Sequence, residues 1–123
     1  MVDCLVVGAG GFLGALLRHV VGLLPIRPEN GFPVHTLSIN ILGSFAIGVI
    51  AALAARLGHH PDERWILFLK VGLCGGFTTF SSFSLESVHL FRSGGAWPGA
   101  LYILISLIGC LGAVLAGQWL VSR

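Results

Sequence analysis

Four long apolar stretches, separated by short polar connections, set the pattern of this chain. They run over the following residues: Cys4–Leu24, Thr36–Leu57, Trp65–Phe91 and Pro98–Val121. A helix needs about 20 apolar residues to cross the hydrocarbon core of a bilayer, and each stretch reaches that length. The connections contain proline, glycine and charged side chains, which are typical of turns. The pattern predicts an all-α membrane protein in which four transmembrane helices form a single domain over residues 1–123.

The third stretch departs from this pattern in its middle. Residues 72–86 carry the adjacent pair Gly75 and Gly76, followed by a cluster of threonines, serines and phenylalanines. Glycine weakens a helix, and nearby hydroxyls can bond backbone groups that are left unpaired. Non-helical backbone at membrane depth persists only where it is buried in protein or lines a cavity. We therefore expect the third helix to be broken at mid-membrane, at Gly75 and Gly76, in a structure suited to a small ion.

Polar side chains recur every four residues along the second and fourth stretches. The second stretch carries Thr36, Asn40, Ser44 and Gly48 at this spacing, and the fourth carries Tyr102, Ser106 and Cys110. A spacing of four places such residues on one face of each helix. Two interpretations are open. The polar side chains either join helices through hydrogen bonds, or they line a narrow path in which the Asn40 amide donates to a passing anion.

The first stretch has a series of small residues that ends in a charge. Gly10, Gly14 and Arg18 are spaced by four, which predicts a face where two helix backbones approach closely. Arg18 is explained either by snorkelling to the lipid headgroups or by attraction of an anion at a pore mouth. The glycines within Val6–Leu17 also resemble a dinucleotide-binding fingerprint, but the alternation of strands and helices that this motif requires does not follow.

Composition supports a membrane protein and argues against other classes. Hydrophobic residues make up 55% of the chain and charged residues 10%, with a mean hydropathy of +0.93, which leaves too little polar surface for a soluble globule. The net charge of +2 is too small to indicate a nucleic-acid partner. Cys4, Cys74 and Cys110 lie in apolar stretches without C-x-x-C spacing, so we interpret them as packing residues. With no pairing of nucleophile and base in the spans, we do not expect an enzyme.

The basic residues are divided almost equally between the two sides that four spans define. One side carries Arg56, Arg64, Lys70 and Arg123, and the other carries Arg18, Arg27 and Arg92. The positive-inside rule usually gives a clear excess on one side, so a chain without that excess can insert in both orientations. Four short helices also enclose little interior, so we expect an oligomer, and the missing bias favours an antiparallel pair.

Three motifs taken together resemble one known family. They are Gly10–Arg18 (GGFLGALLR), Thr36–Gly48 (TLSINILGSFAIG) and Gly75–Glu86 (GGFTTFSSFSLE). The sequence is similar to the Fluc (CrcB) fluoride channels over essentially its whole length. The third motif is highly specific, whereas either of the other two alone would be a weak signal.

The resemblance implies an antiparallel, dual-topology homodimer in the cell inner (plasma) membrane, which exports fluoride passively from the cytoplasm through two pores. It implies a structural sodium ion (Na⁺) at the dimer centre, held by main-chain carbonyls of Gly75 and Thr78 from both subunits. Phe80 and Phe83 would face the ions. The remaining implied residues are Asn40, Thr79, Tyr102 and Ser106 in the pore and Arg18 at a vestibule. Glu86 also matches a family position, but no mechanism is assigned to it, and an orientation toward water stays open.

These residue types suit fluoride. The ion is small and tightly hydrated, so a pore must replace its water with neutral donors such as amide and hydroxyl groups, and conduction requires weak binding at several places. Phenylalanine rings have positively polarised edges, which attract an anion without trapping it. Two rival functions stay open. One is a small drug exporter, which needs a carboxylate within the membrane. The other is a scaffold subunit whose polar residues only join helices.

Overall fold

The computed structural model describes residues 1–26, 28–58 and 64–123. Helix α1 spans Val2–Gly22 and α2 spans Val34–Leu57. The third span covers Arg64–Gly94, and the fourth covers Ala96–Ser122. The part of the chain that the structure describes contains helices and connections only. The predicted all-α fold with four apolar spans is therefore confirmed, and the span ends agree with the predicted ones to within three residues.

The third span is interrupted near its middle. Its first half, residues 64–77, is here called α3; it is α-helical at Arg64–Ile66, π-helical at Leu67–Cys74 and α-helical again at Gly75–Phe77. Two extended residues follow, Thr78 with ψ 159° and Thr79 with φ −149° and ψ 111°. Its second half, α4, spans Phe80–Gly94, and the last helix, Ala96–Ser122, is α5.

The break exists as predicted, but its predicted position at Gly75 and Gly76 is wrong. Gly75 is helical, with φ −63° and ψ −38°, and the extended residues are Thr78 and Thr79. Glycine lowers helix propensity by only about 1 kcal/mol, which packing against another helix can offset. The hydroxyl residues that follow the glycines instead supply the hydrogen bonds that an interrupted helix needs.

Glycines bring α1 and α3 into backbone contact. A Cβ atom at Gly10 would overlap the Phe68 carbonyl oxygen, and a Cβ at Gly76 would lie 2.5 Å from the Gly11 carbonyl oxygen. A Cβ at Gly72 would lie 2.8 Å from the Val7 carbonyl oxygen. Larger residues would push the two helices apart, so the predicted packing face on the first helix is confirmed. This glycine interface fixes the position of α3.

Polar contacts join four helix termini in two pairs at one end of the bundle. Arg64 Nε donates to Asp3 Oδ1 at 3.2 Å, which joins the beginnings of α3 and α1. Arg56 Nη1 donates to the Val121 carbonyl at 2.6 Å, which joins the ends of α2 and α5. The end of the molecule marked by these four residues is called the terminal end below. Helices α2 and α5 also pack closely, because a Cβ at Gly117 would lie 2.9 Å from the Val49 nitrogen.

Most of the apolar surface points outward. Tyr102 is the only large side chain that is fully buried among the described residues. Large apolar side chains such as Leu16, Leu104 and Ile108 are 47%, 55% and 63% exposed. A surface of this kind suits the hydrocarbon of a bilayer. With four spans of sufficient length and hydropathy, the chain is a multi-pass membrane protein.

Candidate functional site

The helix break is held in place by Asn40 of α2. The Asn40 Nδ2 group donates to the Thr79 carbonyl at 3.2 Å, and the Thr79 N–H donates to Asn40 Oδ1 at 2.8 Å. Both backbone groups of this buried, extended residue are therefore paired, as membrane depth requires. The interhelical interpretation of Asn40 is confirmed by these bonds. Donation to an anion from the second amide hydrogen stays a prediction.

The two threonines at the break complete the hydrogen bonding around it. Thr79 caps α4, since its Oγ1 accepts from the Ser82 N–H at 3.2 Å and donates to Ser82 Oγ at 3.0 Å. Thr78 donates to the Cys74 carbonyl twice, from its N–H at 3.0 Å and from Oγ1 at 2.9 Å. In a continuous helix the Thr79 N–H would donate to the Gly75 carbonyl. Here it donates to Asn40 Oδ1 instead.

A groove of about 330 Å³ opens beside the break. It is formed by α2, α3, α4, α5 and the two extended residues. Its lining comprises Asn40, Gly43, Ser44, Ile47, Lys70, Cys74, Gly75, Thr78, Thr79, Phe80, Phe83, Ser106, Leu107 and Cys110. The walls therefore combine apolar side chains with neutral amide and hydroxyl groups. This is the mixture that small-ligand sites usually present.

Ser106 is the lining residue with the clearest unmet hydrogen-bonding capacity. Its side chain is 95% buried, since only 5% of the residue surface is exposed. Its hydroxyl lies close to the Tyr102 hydroxyl on the same helix but meets no partner with hydrogen-bond geometry among the described residues. A buried polar group without a partner costs about 1–3 kcal/mol. A buried hydroxyl without a partner at the wall of a groove can donate a hydrogen bond to a species that enters the groove.

Three aromatic rings form a chain from the open side of the groove into the interior. Phe80 is 76% exposed, and its ring centroid lies 5.5 Å from that of Phe83. The Phe83 ring lies 5.4 Å from the Tyr102 ring, with an angle of 48° between the planes. Phe80 and Phe83 therefore lie on one face of α4. Phe80 stands at the surface, and Phe83 connects it to the buried Tyr102.

Glu86 is bonded inside the protein. Its Oε1 accepts from Thr36 Oγ1 at 2.7 Å, and its Oε2 accepts from the Tyr102 hydroxyl at 2.8 Å. The alternative that Glu86 simply faces water is therefore wrong. The carboxyl group ties α2, α4 and α5 together, because each of its oxygens accepts a hydrogen bond from a hydroxyl on a different helix. The sequence did contain a signal, because Thr36 and Tyr102 each begin a polar series that α4 must face.

The predicted site residues fall into three groups. Seven of them line the groove: Asn40, Gly75, Thr78, Thr79, Phe80, Phe83 and Ser106. Tyr102 lies behind Phe83 with its hydroxyl on Glu86, outside the groove lining. Arg18 is half-buried on α1 and does not belong to the lining either. Arg27, used in the count of charges, lies outside the described residues.

Seven lining residues do not belong to the predicted site set: Gly43, Ser44, Ile47, Lys70, Cys74, Leu107 and Cys110. Ser44 and Cys110 belong to the two polar series, one helical turn beyond Asn40 and Ser106, and the interpretation of those series as a lined path includes both. Lys70 was used only to count charges. A lysine six residues inside an apolar span is itself a signal, because ionisable residues at membrane depth are rare and usually functional.

Comparisons with known proteins give one consistent result. The family model described as "CrcB-like protein, Camphor Resistance (CrcB)" matches residues 5–118. A protein of Ruminiclostridium cellulolyticum named "Fluoride-specific ion channel FluC" is 46% identical over 122 residues, which cover 98% of this chain and 92% of that protein. Proteins with the same name from Agrobacterium fabrum and Sphingopyxis alaskensis are 45% and 47% identical. The match to the Agrobacterium protein covers 95% of this chain and 94% of that protein. The match to the Sphingopyxis protein covers 93% of this chain and 90% of that protein.

Proposed function

This chain belongs to the CrcB-like family, and from that premise we propose that it is a fluoride-selective channel that lets the anion leave the cytoplasm passively. Its relatives are named as ion channels, and the chain is not an enzyme. The observation that carries the proposal is the groove beside the helix break. Ser106, whose buried hydroxyl meets no hydrogen-bond partner among the described residues, lines this groove together with Asn40 and Phe80.

The groove chemistry fits a small, strongly hydrated anion. Fluoride that leaves water needs hydrogen-bond donors, and Ser106 and Asn40 each retain one hydrogen for this purpose. The edge of the Phe80 ring adds a weak positive potential. None of these contacts carries a full charge, so each binds weakly and the ion can pass from one to the next. A narrow path whose donors lie close to the ion also disfavours chloride, because chloride is larger than fluoride.

A second copy of the chain would close the groove. The groove is open on the side where Gly75 and Phe80 are exposed, and an open groove cannot keep lipid from the ion. The nearly equal numbers of basic residues on the two sides support insertion in both orientations. We propose an antiparallel homodimer in the plasma membrane. Because each copy contributes one groove, such a dimer has two pores.

The end of α3 fits a central sodium ion. Its last carbonyls lie beyond the regular hydrogen-bond ladder, because Thr78 and Thr79 are extended, and carbonyl oxygens are hard ligands that suit a hard cation. Gly75 is exposed, and nothing lies within 4 Å of a Cβ built on it, so its backbone is accessible. Gly75 and Thr78 from both copies would hold the ion. The ion would supply positive charge beside the pores and join the two subunits.

Proteoliposomes test this function directly. Vesicles loaded with potassium fluoride, or with potassium chloride, are diluted into a medium without the anion, and valinomycin is added to carry potassium. We expect rapid fluoride efflux and little chloride efflux at the same protein density. Equal efflux of both anions would contradict the proposed selectivity for fluoride. The absence of fluoride efflux from a folded, reconstituted dimer would overturn the proposed channel function.

The same vesicles separate the rival functions. A proton-coupled drug exporter would exchange an organic cation for protons and would leave the fluoride inside the vesicles. A scaffold subunit would move neither. Glu86, the carboxylate that such an exporter would use, already accepts bonds from Thr36 and Tyr102, which favours the channel.

A further inference from the structure

Lys70 is the one charged side chain among the described residues that line the groove. It lies in the π-helical part of α3 and is exposed. Within the described parts of the chain, no hydrogen bond or ion pair occupies its ammonium group. A cation inside an apolar span is costly unless a partner or water compensates it. Its presence at this wall therefore calls for a role.

The position of Lys70 along the groove follows from the directions of the helices. Asn40 on α2 and Ser106 on α5 lie at one level, and Ile47 and Cys110 lie further along the same helices toward their carboxyl ends. Those ends meet the beginning of α3 at the terminal end of the bundle. Lys70 precedes Cys74 by one turn on α3, so it lies at the groove limit that faces the terminal end.

Among the described residues, the charges near this limit do not compensate the lysine. Asp3 is paired with Arg64 at 3.2 Å, and Glu86 is bonded to Thr36 and Tyr102 beyond the opposite limit of the groove. No carboxylate belongs to the lining that the described residues form. The field of the ammonium is therefore directed into a groove with apolar walls, which focus it.

We propose that Lys70 is a positioning residue that concentrates fluoride at the terminal end of the groove, an inference that rests on the proposed channel function. It acts at a distance and does not bind the ion within the narrow part. The flexible stem of the side chain lets the ammonium reach water at the terminal end, so it would keep its own hydration and attract the anion without holding it. Clefts of one sign of charge raise local counter-ion concentrations and entry rates by about 10- to 1,000-fold. A single lysine would supply the lower part of that range.

A charge series at Lys70 tests the inference. The variants Lys70→Arg, Lys70→Gln and Lys70→Glu are reconstituted beside the wild type. Arg92→Gln is the matched control, because Arg92 is exposed, lies in the last turn of α4 and does not line the groove. Fluoride efflux is measured at low internal fluoride, with equal potassium on both sides and valinomycin present, so that the fluoride gradient alone drives the flux. Potassium gluconate sets the ionic strength at about 10 mM or about 300 mM, for which the screening length is roughly 30 Å or 6 Å.

We expect initial flux at low ionic strength to follow the order of charge. Lys70→Arg should keep the wild-type flux, Lys70→Gln should lose about three- to tenfold, and Lys70→Glu should lose more. These differences should shrink at high ionic strength, whereas a lysine that only covers apolar surface would give differences that salt does not change. The Arg92→Gln variant should match the wild type at both ionic strengths.

The outcomes separate this inference from the function on which it rests. If the wild type conducts fluoride but all three variants keep its flux at low ionic strength, the role of Lys70 is overturned and the channel stands. If the wild type does not conduct, the proposed function itself fails. Should Lys70→Gln not assemble, the wild type alone remains decisive, because a flux at low fluoride that is insensitive to ionic strength would contradict the inference.

Discussion

Gly75 and Gly76 are adjacent in the sequence and lie in opposite surroundings. A Cβ at Gly76 would lie 2.5 Å from the Gly11 carbonyl oxygen and 2.9 Å from the Gly11 Cα atom, whereas nothing lies within 4 Å of a Cβ at Gly75. One face of α3 is thus closed against α1 by direct backbone contact. The other face is open and borders the groove. Gly76 therefore permits a close contact within the subunit, whereas Gly75 leaves the groove face open, as the proposed dimer requires.

The strongest way to separate the two faces is to add a side chain to each. Gly76→Val should disrupt the α1–α3 contact and lower the free energy of unfolding by about 3 kcal/mol or more, because its new atoms meet a backbone that cannot yield. Gly75→Val should leave the fold of the subunit intact and weaken assembly of the dimer. Circular dichroism during thermal unfolding measures the first effect, and light scattering of the detergent-solubilised protein measures the second. Equal behaviour of the two variants would contradict the division between faces.

The next effect concerns the open face, where Asn40 holds the break. Asn40→Ala should remove both bonds to the Thr79 backbone and leave two buried groups unpaired, at about 1–3 kcal/mol each. Fluoride flux in vesicles should fall by at least about tenfold, since about 1.4 kcal/mol corresponds to a factor of ten. Ser44→Ala is the control for stability, as Ser44 lies one turn further on the same helix and makes no hydrogen bond within the described chain. An Asn40→Ala variant as stable as Ser44→Ala would show that the break is held by other contacts.

The two phenylalanines allow a finer comparison across the same groove. Phe83 contacts both the Phe80 and Tyr102 rings, so Phe83→Ile should reduce both stability and flux; each ring pair is worth about 0.5–1.5 kcal/mol. Phe80 is 76% exposed and, among the described residues, takes part in the ring pair with Phe83 alone, so Phe80→Ile should lower the free energy of unfolding by less than Phe83→Ile does, at most about 0.5–1.5 kcal/mol, and still reduce flux. Unchanged flux in both variants would exclude the rings from the ion path.

Much of this arrangement was predictable because hydrophobicity and spacing determine it locally. The lengths of the apolar stretches predicted the four spans, and the spacing of Gly10 and Gly14 predicted the packing face of α1. The position of the break was not predictable from glycine alone, because the contact of Gly76 with Gly11 keeps that turn helical. The bonds of Glu86 were missed for a related reason. They join residues 50 and 16 positions apart, and only the packed fold brings such residues together.

The smallest expected effect is also the most specific, because stability and flux should change in opposite directions. Ser106→Ala removes a buried hydroxyl without a partner among the described residues, so the free energy of unfolding should stay constant or rise by up to about 1 kcal/mol. Flux should nevertheless fall about threefold, since a fluoride ion in the groove loses a neutral donor worth about 0.5–1.5 kcal/mol. Ser93→Ala is the control, because its hydroxyl donates to the His89 carbonyl at 2.8 Å and lies outside the groove lining. A Ser106→Ala protein that loses stability and keeps its flux would identify the hydroxyl as a structural group and remove it from the path of the ion.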